Sequence, residues 1–146
     1  AGELDRPNGL SFTADGELAV ADSLNHRVQV FGEDGTFVRS IGSRGRGEGQ
    51  FQLPLDVSAC GDGRLAVADL RNDRVQVLDR EGGFVRSIGS KGDGPAQFRT
   101  LTGVAFGAGG ELLAEDFERQ DVQVFDGEGA LVQTIGAEGD SRVDLP

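Results

Sequence analysis

One segment of this chain occurs three times, at an offset of 47 residues. RVQVF at 27–31 returns as RVQVL at 74–78 and DVQVF at 121–125, and FVRSIG at 37–42 returns as FVRSIG at 84–89 and LVQTIG at 131–136. Asp22, Asp69 and Asp116 keep the spacing, as do Gly35, Gly82 and Gly129, and Ile41, Ile88 and Ile135. Pro7 and Pro54 share it, with Leu101 in the third place. Self-similarity at such a period marks one supersecondary unit that buries its apolar faces by stacking on copies of itself. The units run over about 7–53, 54–100 and 101–146, and we read 1–146 as one repeat-built unit.

Each unit divides into four strand-like runs. GLSF, ELAVAD, RVQVF and FVRSIG follow one another in the first unit, with TADG linking the first two runs and a turn through Gly35 linking the last two. The runs are four to six residues long and alternate with period two: Val28 and Val30 share one face and Gln29 points to the other. Short turns make neighbouring strands antiparallel. One small four-stranded sheet cannot cover both of its faces, so the sheets must stack around an axis, as blades of a β-propeller do. The expected fold is all-β, with three four-stranded antiparallel blades. Gly-rich connectors at 42–54 and 89–101 cross between units, and Phe51 and Phe98 recur there as candidate seam anchors.

The core has to be made of Phe, Leu, Ile and Val, because the chain has no Trp, Tyr or Met. A net charge of −11 argues against a general polyanion binder. Residues 1–53 carry five basic and eight acidic side chains, residues 54–100 seven of each, and residues 101–146 two and ten. Cys60, the only cysteine, excludes an internal disulfide and aligns with Thr13 and Gly107, which makes it a turn residue. His26 is the only histidine, so a zinc site built on several histidines of one chain is excluded, as are Ser-His-Asp and Cys-His centres. No cofactor, no metal and no catalytic residue is expected. No apolar run approaches the roughly 20 residues of a membrane-spanning helix. The chain does not begin with Met, which suggests a processed or excised piece of something longer. A soluble protein is expected, with the cytoplasm slightly favoured.

The order P-N-G-L-S-F-x-x-D-G-E-L-A-V-A-D-S-L-N-H-R-V-Q-V-F-x-x-D-G at 7–35, followed by F-V-R-S-I-G and the connector G-x-G-x-G-Q-F-x-x-P, resembles the NHL repeat family. The second unit matches nearly as well. The third reads as degraded, because Arg119 and Asp121 replace the Asn and Arg of A-D-x-x-N-x-R. The resemblance implies a propeller, usually of six blades, that serves as a binding platform in TRIM-type ubiquitin ligases, bacterial sensor kinases and other multidomain proteins. Some members bind RNA, and a related peptidyl-hydroxyglycine lyase is zinc-dependent.

Three blades are half of six, and the expectation is a head-to-tail homodimer closing a six-bladed ring. Leu4, Phe51 and Val143 each stand three residues before a proline, so both chain ends fall at one point of the repeat. The acidity of the third unit opposes this pairing. The function expected is non-catalytic protein or peptide binding. The alternatives are RNA binding, an excised or engineered half-propeller without a role of its own, and, last, a metal-dependent hydrolase or lyase.

Positions repeated in every unit serve the fold, so Asp22, Asp69 and Asp116 are read as structural acceptors that can pair with Arg27 and Arg74. Positions that differ between copies are the partner-binding candidates: Arg44, Arg46, Leu70, Arg71, Lys91, Phe117, Glu118 and Arg119. The RNA alternative would use Arg44, Arg46, Arg71 and Lys91. Asn8, Asp56 and Thr102 are candidates for the channel entrance.

Overall fold

A computed structural model describes residues 1–136. The readings that involve Val143 and Pro146 lie outside the described residues. The first sheet contains β1 (Pro7–Phe12), β2 (Leu18–Asp22), β3 (Arg27–Phe31) and β4 (Phe37–Ile41) in that order, all antiparallel. Between the first and second sheets lie β5 (Ser43–Arg44) and β6 (Gln50–Phe51), a short parallel pair within the Gly-rich connector.

The second sheet repeats the first with β7 (Pro54–Ala59), β8 (Leu65–Asp69), β9 (Arg74–Leu78) and β10 (Phe84–Ile88). A second parallel pair follows, β11 (Ser90–Lys91) with β12 (Gln97–Phe98). The third sheet is β13 (Leu101–Phe106), β14 (Leu112–Asp116), β15 (Asp121–Phe125) and β16 (Leu131–Ile135). The described residues thus form three four-stranded antiparallel blades.

The blades stack through two seams of the same design. The first joins Ala19, Ala21, Val28, Val30 and Ile41 of one blade to Val57, Leu65, Val67 and Leu78 of the next. The second joins Ala66, Ala68, Val75, Val77 and Ile88 to Leu101, Val104, Leu112, Ala114 and Phe125. Phe51 closes the first seam and Phe98 the second, both fully buried. Burial of each ring contributes about 1.5–3 kcal/mol. The rings lie against Gly42 and Gly89, whose φ angles are +89° and +107°. A Cβ on either glycine would collide with the ring, so position and backbone angle both demand glycine.

The middle blade has both faces covered, and every residue of β8 is buried. Among the described residues, the outer blades each keep one face open. On the first it shows Leu10 and Phe12, 62% and 72% exposed. On the third it shows Leu113, Glu115, Val122 and Ile135, which occupy the positions of the buried Ala66, Ala68, Val75 and Ile88.

Candidate functional site

The repeated aspartates are the hubs that fasten each connector to the blade after it. Asp22 is fully buried and accepts the Asp5 amide at 2.7 Å, Asn25 Nδ2 at 3.0 Å, Arg27 Nε at 2.9 Å and Gln29 Nε2 at 3.1 Å. Asp69 repeats this with the Gln52 amide, Asn72, Arg74 and Gln76. The glutamines also hold the connector: Gln76 Nε2 donates to the Gln50 carbonyl at 2.5 Å, and its Oε1 accepts the Gly49 amide at 2.9 Å. Gln29, which alternation sets opposite the valines, therefore faces a second buried surface. Arg74 clamps the same connector by donating to the carbonyls of Arg46, Gly47 and Gln50 at 2.9–3.0 Å.

The third blade performs the same clamp with its residues exchanged. Arg119 Nη1 donates to the carbonyls of Gly94 and Gln97, both at 2.7 Å. These are the carbonyls 47 residues beyond Gly47 and Gln50. Its Nε and Nη2 pair with Asp121 Oδ2 at 3.0 and 2.8 Å. Arg119 thus reaches from the asparagine position to the site that Arg74 fills from the arginine position. This corrects one reading: the third motif is exchanged rather than degraded. Arg119, 13% exposed at its side chain, is engaged within the fold. Asp121 is buried, and burial first of all pushes its carboxyl above the ordinary value, against the pull of Arg119.

The other candidates surround these hubs. Leu70, Arg71 and Asn72 form a 3-10 turn that rests on the preceding connector through Asn72 Nδ2 to the Gly45 carbonyl at 2.9 Å and the Arg71 amide to the Gln52 carbonyl at 3.0 Å. That contact brings the turn beside the connector bearing Arg44 and Arg46. All three arginines are exposed, and among the described residues no ion pair involves them. Leu70 is half-buried, so it is less available than its loop position implies.

One blade further on, the Phe117 amide donates to the Thr100 carbonyl at 3.0 Å, and Glu118 accepts from Thr100 Oγ1 at 2.8 Å and lies 3.6 Å from Arg99. Phe117 is 74% exposed. Lys91 is exposed, and its charge acts on the Asp73 carboxyl, whose value burial nonetheless raises. The candidates therefore form two clusters on successive connector-and-turn units, one purely basic and one mixed around Phe117.

Asp56 is a seam residue. Its Oδ2 accepts the Val104 amide of the next blade at 3.1 Å, and its Oδ1 accepts the Val57 amide at 2.9 Å. Burial, followed by these two hydrogen bonds acting the other way and by the Glu115 charge, leaves its carboxyl above the ordinary value. Its link to Val104 came from no motif, because the first and third units have glycine at that position. Among the described residues no group of three or more His, Cys, Asp or Glu is arranged to hold a metal ion, and no helix is long and apolar enough to cross a membrane.

Comparison with known proteins agrees with this architecture. The sequence model of the NHL repeat matches residues 4–31. RING finger protein nhl-1 of Caenorhabditis elegans is 51% identical over 49 residues, and Protein brain tumor of Drosophila melanogaster is 34% identical over 53. These stretches are 34% and 36% of this chain and 5% of each relative, so the chain matches only a small part of those proteins.

Among solved structures, the WD40 repeats of RRP9 superpose with a TM-score of 0.71 at 18% identity, over 92% of this chain and 39% of that one. A chain of the nidogen/laminin complex gives 0.69 at 18%, over 95% and 50%. A virginiamycin B lyase from Staphylococcus aureus gives 0.68 at 15%, over 96% and 42%. The fold is of the propeller type, and at these identities the likeness speaks to fold alone.

Proposed function

We propose that this NHL-repeat chain is a non-catalytic platform for protein or peptide ligands, and that two copies complete one six-bladed ring. The observation that carries the binding reading is the pair of clusters built where connector meets turn. Exposed Phe117 offers an apolar anchor, and Arg44, Arg46 and Arg71 offer cationic donors that pair with no acid among the described residues. Their complement is a peptide with one apolar side chain flanked by acidic residues. The propeller in the nidogen/laminin complex supports the reading as an example of the fold in a protein complex. The ring reading is supported by the open faces of the end blades, whose residues hold the same positions as the two halves of each internal seam.

Selection of a displayed random-peptide library on the full chain tests the platform reading. Enrichment of acidic, singly apolar peptides is expected. Their affinity should fall roughly tenfold or more in Phe117→Asp and in Arg44→Ala/Arg46→Ala/Arg71→Ala, with rising salt weakening binding. No enrichment, or peptides indifferent to both variants, contradicts it. A salt-dependent complex with single-stranded RNA, lost in the triple variant, would put RNA in the peptide's place.

A further inference from the structure

The seams are tied near the axis by side chains that reach from one blade to the inner strand of the next. Ser11 Oγ accepts the Ala59 amide at 3.0 Å in the first seam. Ser58 Oγ accepts the Phe106 amide at 3.0 Å in the second, and Asp56 Oδ2 accepts the Val104 amide at 3.1 Å. The open face of the third blade changes this set. Ala105 stands where Ser11 and Ser58 stand, and Gly103 stands where Asp56 does.

The carboxylate has not been lost, because it has moved across one rung of the sheet. Asp56 is paired across its ladder with Ala68, and Gly103 is paired with Glu115. The Asp–Ala pair of the second blade is a Gly–Glu pair in the third, an exchange of the same kind as that of Arg119 and Asp121. Glu115 is exposed, and it lines a groove with Asp56, Gly103, Val104, Leu113 and Val122. Its only hydrogen-bonding neighbour among the described residues is Thr102 Oγ1, at 3.4 Å. Ala21 and Ala68, at the equivalent places, are fully buried in seams.

A blade seated on this face would bury Glu115, and a buried carboxylate needs a donor. The residue equivalent to Val57 and Val104 at the start of the chain is Leu10, on the open face of the first blade. We infer that Glu115 is the acceptor of the closing seam and that it takes the Leu10 amide of a second copy of this chain. The inference rests on the ring reading and adds its polar contact. Glu115, one methylene longer than Asp56, has the reach to serve the next inner strand from the neighbouring strand. The same comparison leaves the partner's Phe12 amide, equivalent to those of Ala59 and Phe106, facing Ala105 with no hydroxyl.

Sedimentation equilibrium of the full chain tests this. Wild type is expected to dimerise. Glu115→Ala removes that bond from both closing seams of the ring and should raise the dimer dissociation constant about 100-fold or more, as expected for two lost charge-assisted hydrogen bonds. Glu115→Ala/Gly103→Asp rebuilds the pair found in the second blade and should return the constant to within about threefold of wild type. Nothing lies within 3.4 Å of a Cβ at Gly103, so the added Cβ meets no close contact. Ala105→Ser should tighten the dimer severalfold.

Amide exchange gives an independent readout: protection of Leu10 in the wild-type dimer should be lost in Glu115→Ala. A dimer that Glu115→Ala leaves unchanged or tightens overturns the inference while the ring reading stands. A wild-type chain that is monomeric throughout overturns both.

Discussion

Asp22→Ala is expected to lower the unfolding free energy by about 3–5 kcal/mol at neutral pH, measured by urea denaturation at fixed protein concentration. The truncation removes the acceptor of four donors at once. The Asp5 amide and the buried Gln29 amide lose a partner, and Arg27, only 25% exposed at its side chain, loses its counter-charge. The loss should depend on pH in a defined direction. Burial pushes the Asp22 carboxyl up, but the hydrogen bonds from the Asp5 amide, Asn25, Arg27 and Gln29 together outweigh it and hold the group below its ordinary value. A carboxylate depressed by folding contributes its full stabilisation above the unfolded value near pH 4 and loses it as pH falls through the folded value. The gap between wild type and Asp22→Ala should therefore be widest at neutral pH and narrow below about pH 4. A gap that stays constant into acid would mean that packing, not the charged network, carries the effect.

Arg119→Asn alone is expected to cost about 3–5 kcal/mol, because it strands a buried carboxylate. Asp121 is 3% exposed, its Oδ1 lacks a partner among the described residues, and Arg119 is the cation that holds it. The carbonyls of Gly94 and Gln97 each lose one donor in the same step and keep the Gln97 amide and Gln123 Nε2, respectively. Arg119→Asn/Asp121→Arg restores the order of the first two blades and should recover most of that loss. Thermal unfolding of the two single variants and the double one closes the cycle. Losses that simply add would show that the two positions do not form an exchanged clamp.

That pair also marks the boundary of what the sequence made legible. The blades, their strand order and the structural role of Asp22 and Asp69 could be read because each was written more than once at a fixed offset. Position-by-position alignment could not read an exchange between two positions. Read by position, Arg119 is a binding candidate, whereas in the fold it reaches the connector from the asparagine position. Period-two alternation set Gln29 opposite the valines but could not say that this second face is also covered, which depends on where the connector lies.

The parallel pairs β5–β6 and β11–β12 are two residues long and set among glycines, too short for any periodicity to register. Glu115 was unreadable for a further reason: its meaning depends on Gly103 across the rung and on the face it shares with Leu113 and Val122. Of the binding candidates, Arg44, Arg46, Arg71, Lys91, Phe117 and Glu118 are on the surface, Leu70 is half-buried and Arg119 is engaged in the clamp.

The end blades expose the two halves of a seam that the chain builds twice within itself, and a second chain is expected to complete the third and fourth. Light scattering on the full chain at tens of micromolar tests this most directly. It should return twice the chain mass of 15.3 kDa, falling toward the single value on dilution. A mass of 15.3 kDa across the whole concentration range, with Leu10 and Phe12 still open to solvent, would contradict it.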